Sequence, residues 1–167
     1  PYILTVNTPT WVQGTHASNA TTDTKVITTT TYTHTLKGAA LAGDMRLVKQ
    51  GSGKLILHNE THTYTGNTDI WEGSLQTDAT ISASPVWLNR HTTLTSGGTL
   101  SKSLEAEYNA TIEVGTNANE AATLTAGDVT LNFGSHLALQ LFSDGTSDCL
   151  TAKSIAPVVN TSSVKDE

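Results

Sequence analysis

From residue 36 onward, aliphatic residues return at a nearly constant spacing. Leu36, Leu55, Leu75, Leu94, Ile112 and Leu131 lie 19, 20, 19, 18 and 19 residues apart. Short stretches of alternating apolar and polar residues run at or between them, at 54–58, 68–72, 85–89, 110–114 and 129–133. Period two is the signature of a strand with one face inward and one outward. Between the strands lie turn formers: Gly51 and Gly53, Gly66-Asn67, Gly73, Gly97-Gly98, Gly115 to Asn119, Gly127-Asp128 and Gly134. A unit this short cannot bury its own apolar side, so successive units must stack and share a column of aliphatics. A leucine-rich repeat has a similar period, but its L-x-x-L-x-L-x-x-N signature is absent and no helix-compatible stretch follows each strand. Only residues 101–108 and 119–123 are compatible with helical turns. The pattern predicts an all-β fold, a parallel β-helix of about five coils with two or three short strands per coil.

The first 46 residues read differently. Residues 2–6 form a short strand ended by Asn7-Thr8-Pro9, and residues 13–24 are polar and turn-like. Residues 26–36 alternate, with Val26, Thr28, Thr30, Tyr32, His34 and Leu36 on one face and Ile27 with four threonines on the other. The faces contrast weakly, so the register is weakly specified. This predicts a β-rich N-terminal cap or subdomain over 1–46, with Trp11 in its core. The β-helix repeats follow over 47–159, and 160–167 forms a tail or connection.

Composition supports this reading. The chain has 167 residues, the length of one domain. Charged residues are 14%, against about 25% in ordinary domains, and 31 threonines fill the gap. Threonine is β-branched and favours strands, which excludes a helical bundle. With a net charge of -6 and only Arg46 and Arg90 as arginines, no nucleic-acid partner is expected. No apolar run is long enough to span a bilayer as a helix. The chain opens at Pro1 without a leader pattern, as a processed or excised segment would. Cys149 stands alone, so no intrachain disulfide is expected, and the four N-x-S/T sequons at Asn19, Asn59, Asn109 and Asn160 are at chance level for so much threonine.

One stretch carries a resemblance. Leu47-Val48-Lys49-Gln50-Gly51-Ser52-Gly53-Lys54-Leu55-Ile56-Leu57, followed by Tyr64-Thr65-Gly66-Asn67-Thr68-Asp69-Ile70-Trp71-Glu72-Gly73-Ser74-Leu75, resembles the autotransporter-associated β-helix repeat. That repeat reads L-x-K-x-G-x-G-x-L-x-L, a variable turn, then Y-x-G-x-T-x-I-x-x-G-x-L. Residues 83–86, 94–100 and 124–131 resemble later coils of such solenoids more loosely. The resemblance implies a right-handed parallel β-helix within a larger exported bacterial surface protein, such as the multimodular surface proteins of Bacteroidota. It brings no catalytic residues. By its pattern Leu55, Leu57, Ile70, Leu75, Val86 and Leu88 point inward, Trp71 and Trp87 point outward on neighbouring coils, and Lys49 bonds backbone carbonyls beside the first glycine turn.

The expected function is that of a non-catalytic structural or display module, secreted or on the cell surface and joined to flanking domains. The alternative is a carbohydrate-binding module, with Trp71 and Trp87 stacking on a polysaccharide, against the plainer reading in which the two indoles pack on each other. A β-helical polysaccharide lyase or hydrolase is a lesser alternative. Asp44, Asp69, Asp78, Asp128, Asp144 and Asp148 are scattered, and Glu105, Glu107 and Glu113 give a stripe without an opposed pair. Residues 144–148 lack the spacing of an EF-hand loop and read as a turn. His58, His62 and His91 fall in turns, where the i, i+4 spacing of the first two does not build a zinc site. No metal or cofactor is expected.

Overall fold

The computed structural model describes residues 3–7, 10–13, 28–58 and 60–158. The tail at 160–167, His16, the sequons at Asn19, Asn59 and Asn160, and the side chain of Trp11 lie outside the described residues. Among those residues every regular element is a strand. Neither stretch compatible with helical turns forms a helix. A strand runs through the first, because Leu104 and Ala106 join the inward columns of the solenoid, and another begins at the end of the second.

Near the N-terminus, β1 (Ile3–Asn7) is followed by an antiparallel pair, β2 (Thr10–Gln13) and β3 (Thr28–Thr31). The alternation across 26–36 is therefore not one strand. It breaks at Tyr32, and β4 (Thr33–Leu36) joins a different sheet from β3. Coils then follow in threes. The first is β5 (Arg46–Gln50), β6 (Lys54–Leu57) and β7 (Thr61–His62). The second is β8 (Thr68–Ile70), β9 (Ser74–Thr77) and β10 (Thr80–Ile81). The third is β11 (Val86–Leu88), β12 (Thr93–Ser96) and β13 (Thr99–Leu100). In the fourth, β14 (Leu104–Ala106) and β15 (Thr111–Val114) lead into β16 (Thr123–Leu131), which continues round the corner into the fifth coil. β17 (His136–Ala138) and β18 (Cys149–Pro157) complete it.

Parallel pairing stacks these coils on three faces. Face A is β1, β5, β8, β11, β14 and the second half of β16. Face B is β4, β6, β9, β12, β15 and β17. Face C is β7, β10, β13 and the first half of β16, with β18 lying along the whole of β16. The fold is thus an all-β parallel solenoid of about five turns, as the spacing predicts.

Register decides which residues are buried. On face B, Leu55, Leu75, Leu94 and Ile112 form one column of fully buried side chains. Two of the anchors do not belong to it. Leu36 pairs with Leu57, so His34 stands beside Leu55, and the column ends at Leu137. Leu131 lies on face A beside Ala106. The fourth coil is longer than the period because residues 115–122 form a loop between β15 and β16, which displaces the last anchor to Leu137. On face A the inward columns are Leu47, Thr68, Val86, Leu104 and Val129, and beside it Lys49, Ile70, Leu88, Ala106 and Leu131. The six aliphatics expected to face inward are all buried.

The abundance of threonine has a structural counterpart on face C. Thr61, Thr80, Thr99, Thr125 and Thr151 stand in register on five successive strands and point outward, while His62, Ile81, Leu100, Ala126 and Ala152 alternate inward. A β-branched residue packs well against its in-register copy on a pleated surface, which makes such a ladder stabilising on every step.

Candidate functional site

Face A and the turn that leaves it carry the chemically distinctive groups. Lys49 is the first. It occupies an inward position, in register with Ile70 and Leu88, where an apolar side chain would be expected, and it is fully buried. Its Nζ donates to the carbonyls of Gln50 (2.9 Å), Gly51 (2.6 Å) and Glu72 (3.0 Å). All three donor positions of the ammonium are used. Burial lowers its pKa from 10.5 to about 8, opposed by the nearby Glu72 carboxylate. The lysine bonds carbonyls as the motif implies, and it ties the first coil to the second from inside.

Gly73 completes this turn. It has φ +67, and a Cβ there would lie 2.3 Å from the Gly53 carbonyl and 2.6 Å from that of Gly51. The K-x-G-x-G stretch of one coil and the glycine after Trp71-Glu72 of the next therefore form one packed backbone knot. The same turn recurs in later coils with left-handed His91 (φ 60), Asn109 (φ 55) and Gly134 (φ 76).

Outside this knot, the outward column of face A runs Val48, Asp69, Trp87, Glu105 and Thr130. Asp69 is 3% exposed and accepts a hydrogen bond from the Arg46 guanidinium. Trp71 lies on the neighbouring outward position, 42% exposed. Its ring meets that of Trp87 edge to face, with centroids 5.3 Å apart and planes at 70°. Such a pair contributes about 0.5–1.5 kcal/mol beyond its buried area. The rings are not coplanar, so one flat ligand face can lie on only one of them.

The carboxylates divide by face. Glu105 and Glu107 flank one open cleft on face A, whereas Glu113 lies on β15 of face B and accepts from Thr95 Oγ1 (2.9 Å). Asp144 closes its own turn, accepting from Thr146 N (2.9 Å) and Oγ1 (2.7 Å). Asp148 is buried and accepts from the backbone amides of Ala122 and Gln140, both at 2.9 Å, pinning two loops together. Among the described residues no three His, Cys, Asp or Glu side chains converge on a common point. Cys149 is exposed.

Several groups escaped the sequence pattern. His62 is buried, not a solvated turn residue. It faces inward on β7, where its Nδ1 accepts from Leu41 N (3.0 Å) and its Nε2 has no partner. Alternation with Thr61 and Thr63 is the signal that marks it as inward. Burial lowers its pKa below 6.5, with the His58 carbonyl and Glu60 opposing. The unfolded chain therefore binds more protons just below pH 6.5, and stability falls as the pH drops through that window. The urea midpoint should decrease between pH ~7.5 and pH ~5, and His62→Leu should remove that part of the slope. An identical slope in the variant would disprove the assignment.

Tyr64 fills the interior of the same coil, its hydroxyl bonded to Thr68 Oγ1, which in turn meets Ser84 Oγ at 2.8 Å. This small polar network explains how Thr68 and Ser84 tolerate the core, since each hydroxyl is paired. Tyr108 and Phe133 also lie outside the sequence reading of the site: the alternation of 129–133 makes Phe133 the end of a strand, whereas β16 stops at Leu131 and both aromatics stand in the turn leaving face A.

No curated protein and no solved structure matches the chain. Residues 47–77, which span the Lys49 knot, β8 and β9, match the model of the family described as Passenger-associated-transport-repeat, in agreement with the resemblance read from the same residues.

Proposed function

We propose that the chain is a non-catalytic spacer and display module of a larger exported bacterial surface protein. The observation that carries this reading is the continuous in-register stacking of about five coils around one apolar column, joined to a passenger-type repeat at 47–77. The polar residues of the interior are committed to structure: Lys49, Thr68, Ser84 and Asp148 all bond neighbouring coils or turns. A solenoid of this kind holds its two ends at a fixed separation, since each coil adds one strand spacing of about 4.8 Å. Spin labels at Thr61→Cys and the native Cys149, four coils apart, should give one narrow distance peak on the order of 20 Å by pulsed dipolar spectroscopy. A broad, linker-like distribution would overturn the spacer reading. Antibody labelling of intact producing cells tests the surface location, and signal appearing only after lysis would overturn it.

A second reading is favoured by one observation, the 42% exposure of Trp71 on an outward face. In it the indole of Trp71, held edge-on by Trp87, stacks on a sugar ring of a polysaccharide. Loss of retention on polysaccharide gels in Trp71→Ala is the expected result, and unchanged retention would reject it.

A further inference from the structure

Three side chains beyond the tryptophan pair occupy one recurring position on successive coils. Arg90, Tyr108 and Phe133 each precede the left-handed residue of the turn leaving face A, namely His91, Asn109 and Gly134. They border an open cleft of about 590 Å³ whose floor includes Glu105, Glu107 and Asn132. The Tyr108 and Phe133 rings are stacked, with centroids 6.4 Å apart and planes at 21°, and are 43% and 55% exposed. The tyrosine ring is held in place from two sides. His91 meets it edge-on at 6.2 Å, and it rests on Gly134 so closely that a Cβ there would be 2.6 Å from Cδ2. Asn132 Nδ2 donates to Glu105 Oε1 at 3.0 Å, which fixes the orientation of both groups.

We propose that this cleft binds a neutral oligosaccharide. The exposed Phe133 ring, backed by the Tyr108 ring stacked with it, offers an apolar face to the C–H side of a pyranose. The carboxylates, amide and guanidinium beside them offer planar acceptors and donors to paired hydroxyls. Charge selects against the other glycans. Arg90 faces two glutamates, and the whole chain carries -6, so a polyuronate or sulfated chain would be repelled. Successive coils repeat every ~4.8 Å, close to the length of one hexose, so an extended chain lying along the solenoid axis meets equivalent positions of the turn row in turn. The proposal is independent of the spacer reading and of the tryptophan pair.

The test is titration of the full chain with cellohexaose, xylohexaose and mannohexaose, followed by heteronuclear NMR and calorimetry. A hexagalacturonate and a proline-rich peptide serve as competitors of different chemistry. At least one neutral probe should saturate and shift the signals of Tyr108, Asn132 and Phe133. Phe133→Ala and Arg90→Ala, each checked for parental circular dichroism and unfolding midpoint, should weaken binding by roughly tenfold or more. Silence with every neutral probe would overturn the proposal, as would tighter binding of the uronate or the peptide. Binding abolished by Trp71→Ala but unaffected by Phe133→Ala would also overturn it, and would place the sugar on the tryptophans instead.

Discussion

Lys49→Met should lower the stability of the protein by about 3 kcal/mol, although methionine fits the inward column better by polarity than lysine does. Hydrogen bonds to a charged group contribute about 1.5–3 kcal/mol each, and this ammonium makes three, to Gln50, Gly51 and Glu72. Removing the charge also removes the cost of burying it, so the net loss is well below the sum. For a chain of this size the melting temperature should fall by about 6–12 °C. Solenoid coils are coupled only to their neighbours, so the loss should be local. Hydrogen exchange should accelerate across 45–77 and stay near the parental rate in β15 to β18. Uniform acceleration along the chain would contradict the role given to Lys49. There is also a pH signature. The folded pKa of about 8 lies below the unfolded 10.5, so between these values the unfolded chain holds more protons and stability rises with pH. The stability difference between the parent and Lys49→Met should therefore grow between pH ~8 and pH ~10, and a constant difference would show that the buried amine does not titrate there.

The solenoid was legible in the sequence because its determinants are local and periodic. Leu55, Leu75, Leu94 and Ile112 are spaced by the coil length and all enter one column. The ends were not legible. The loop at 115–122 lengthens the fourth coil, and a constant period then selects Leu131 where the fold uses Leu137. Likewise nothing in the alternation of 26–36 reveals that Tyr32 divides a strand of the antiparallel pair from a solenoid strand. The Lys49 bonds are what the resemblance to the repeat implies, and the structure supplies their reason: an inward-facing lysine beside the glycine turn meets the carbonyls of Gln50, Gly51 and Glu72. The cleft is not visible in the strand periodicity. Arg90 and Tyr108 lie in turns with no hydrophobic period, and the alternation of 129–133 puts Phe133 in a strand that in fact ends at Leu131; the three become neighbours only through the register of the stacked coils. Aligning the turns themselves would have exposed the row: Trp71-Glu72-Gly73, Asn89-Arg90-His91, Glu107-Tyr108-Asn109 and Asn132-Phe133-Gly134 occupy equivalent places after their strands.

Gly73→Ala should be the most damaging glycine-to-alanine change among the described residues, because left-handed backbone and a clash with backbone atoms, which unlike a side chain cannot turn away, coincide there. An L-residue in the left-handed region costs roughly 1–2 kcal/mol, and Gly73 has φ +67. Forcing a methyl into packed atoms costs roughly 1–3 kcal/mol more, and its Cβ would stand 2.3 Å from the Gly53 carbonyl. Two other glycines separate the effects. Gly145 has φ +88 but nothing within 4 Å, so Gly145→Ala should show the backbone strain alone, about 1 kcal/mol. At Gly98 the φ is unexceptional and a Cβ would lie 2.2 Å from the Ala79 carbonyl, so Gly98→Ala should show the crowding alone, roughly 1–3 kcal/mol. Urea unfolding of the three variants should rank Gly73→Ala first and Gly145→Ala last, with the first near the sum of the other two. Gly73 and Lys49 also converge on one atom, the Gly51 carbonyl, which lies 2.6 Å from the added Cβ and 2.6 Å from Nζ. A methyl there displaces the carbonyl that the ammonium binds, so Gly73→Ala already forfeits part of what Lys49→Met removes. The double variant should consequently lose less than the sum of the singles, by roughly 0.5–3 kcal/mol. Strict additivity would mean that the lysine and the glycine hold the two coils together independently, and that the K-x-G-x-G turn is not the single knot its geometry describes.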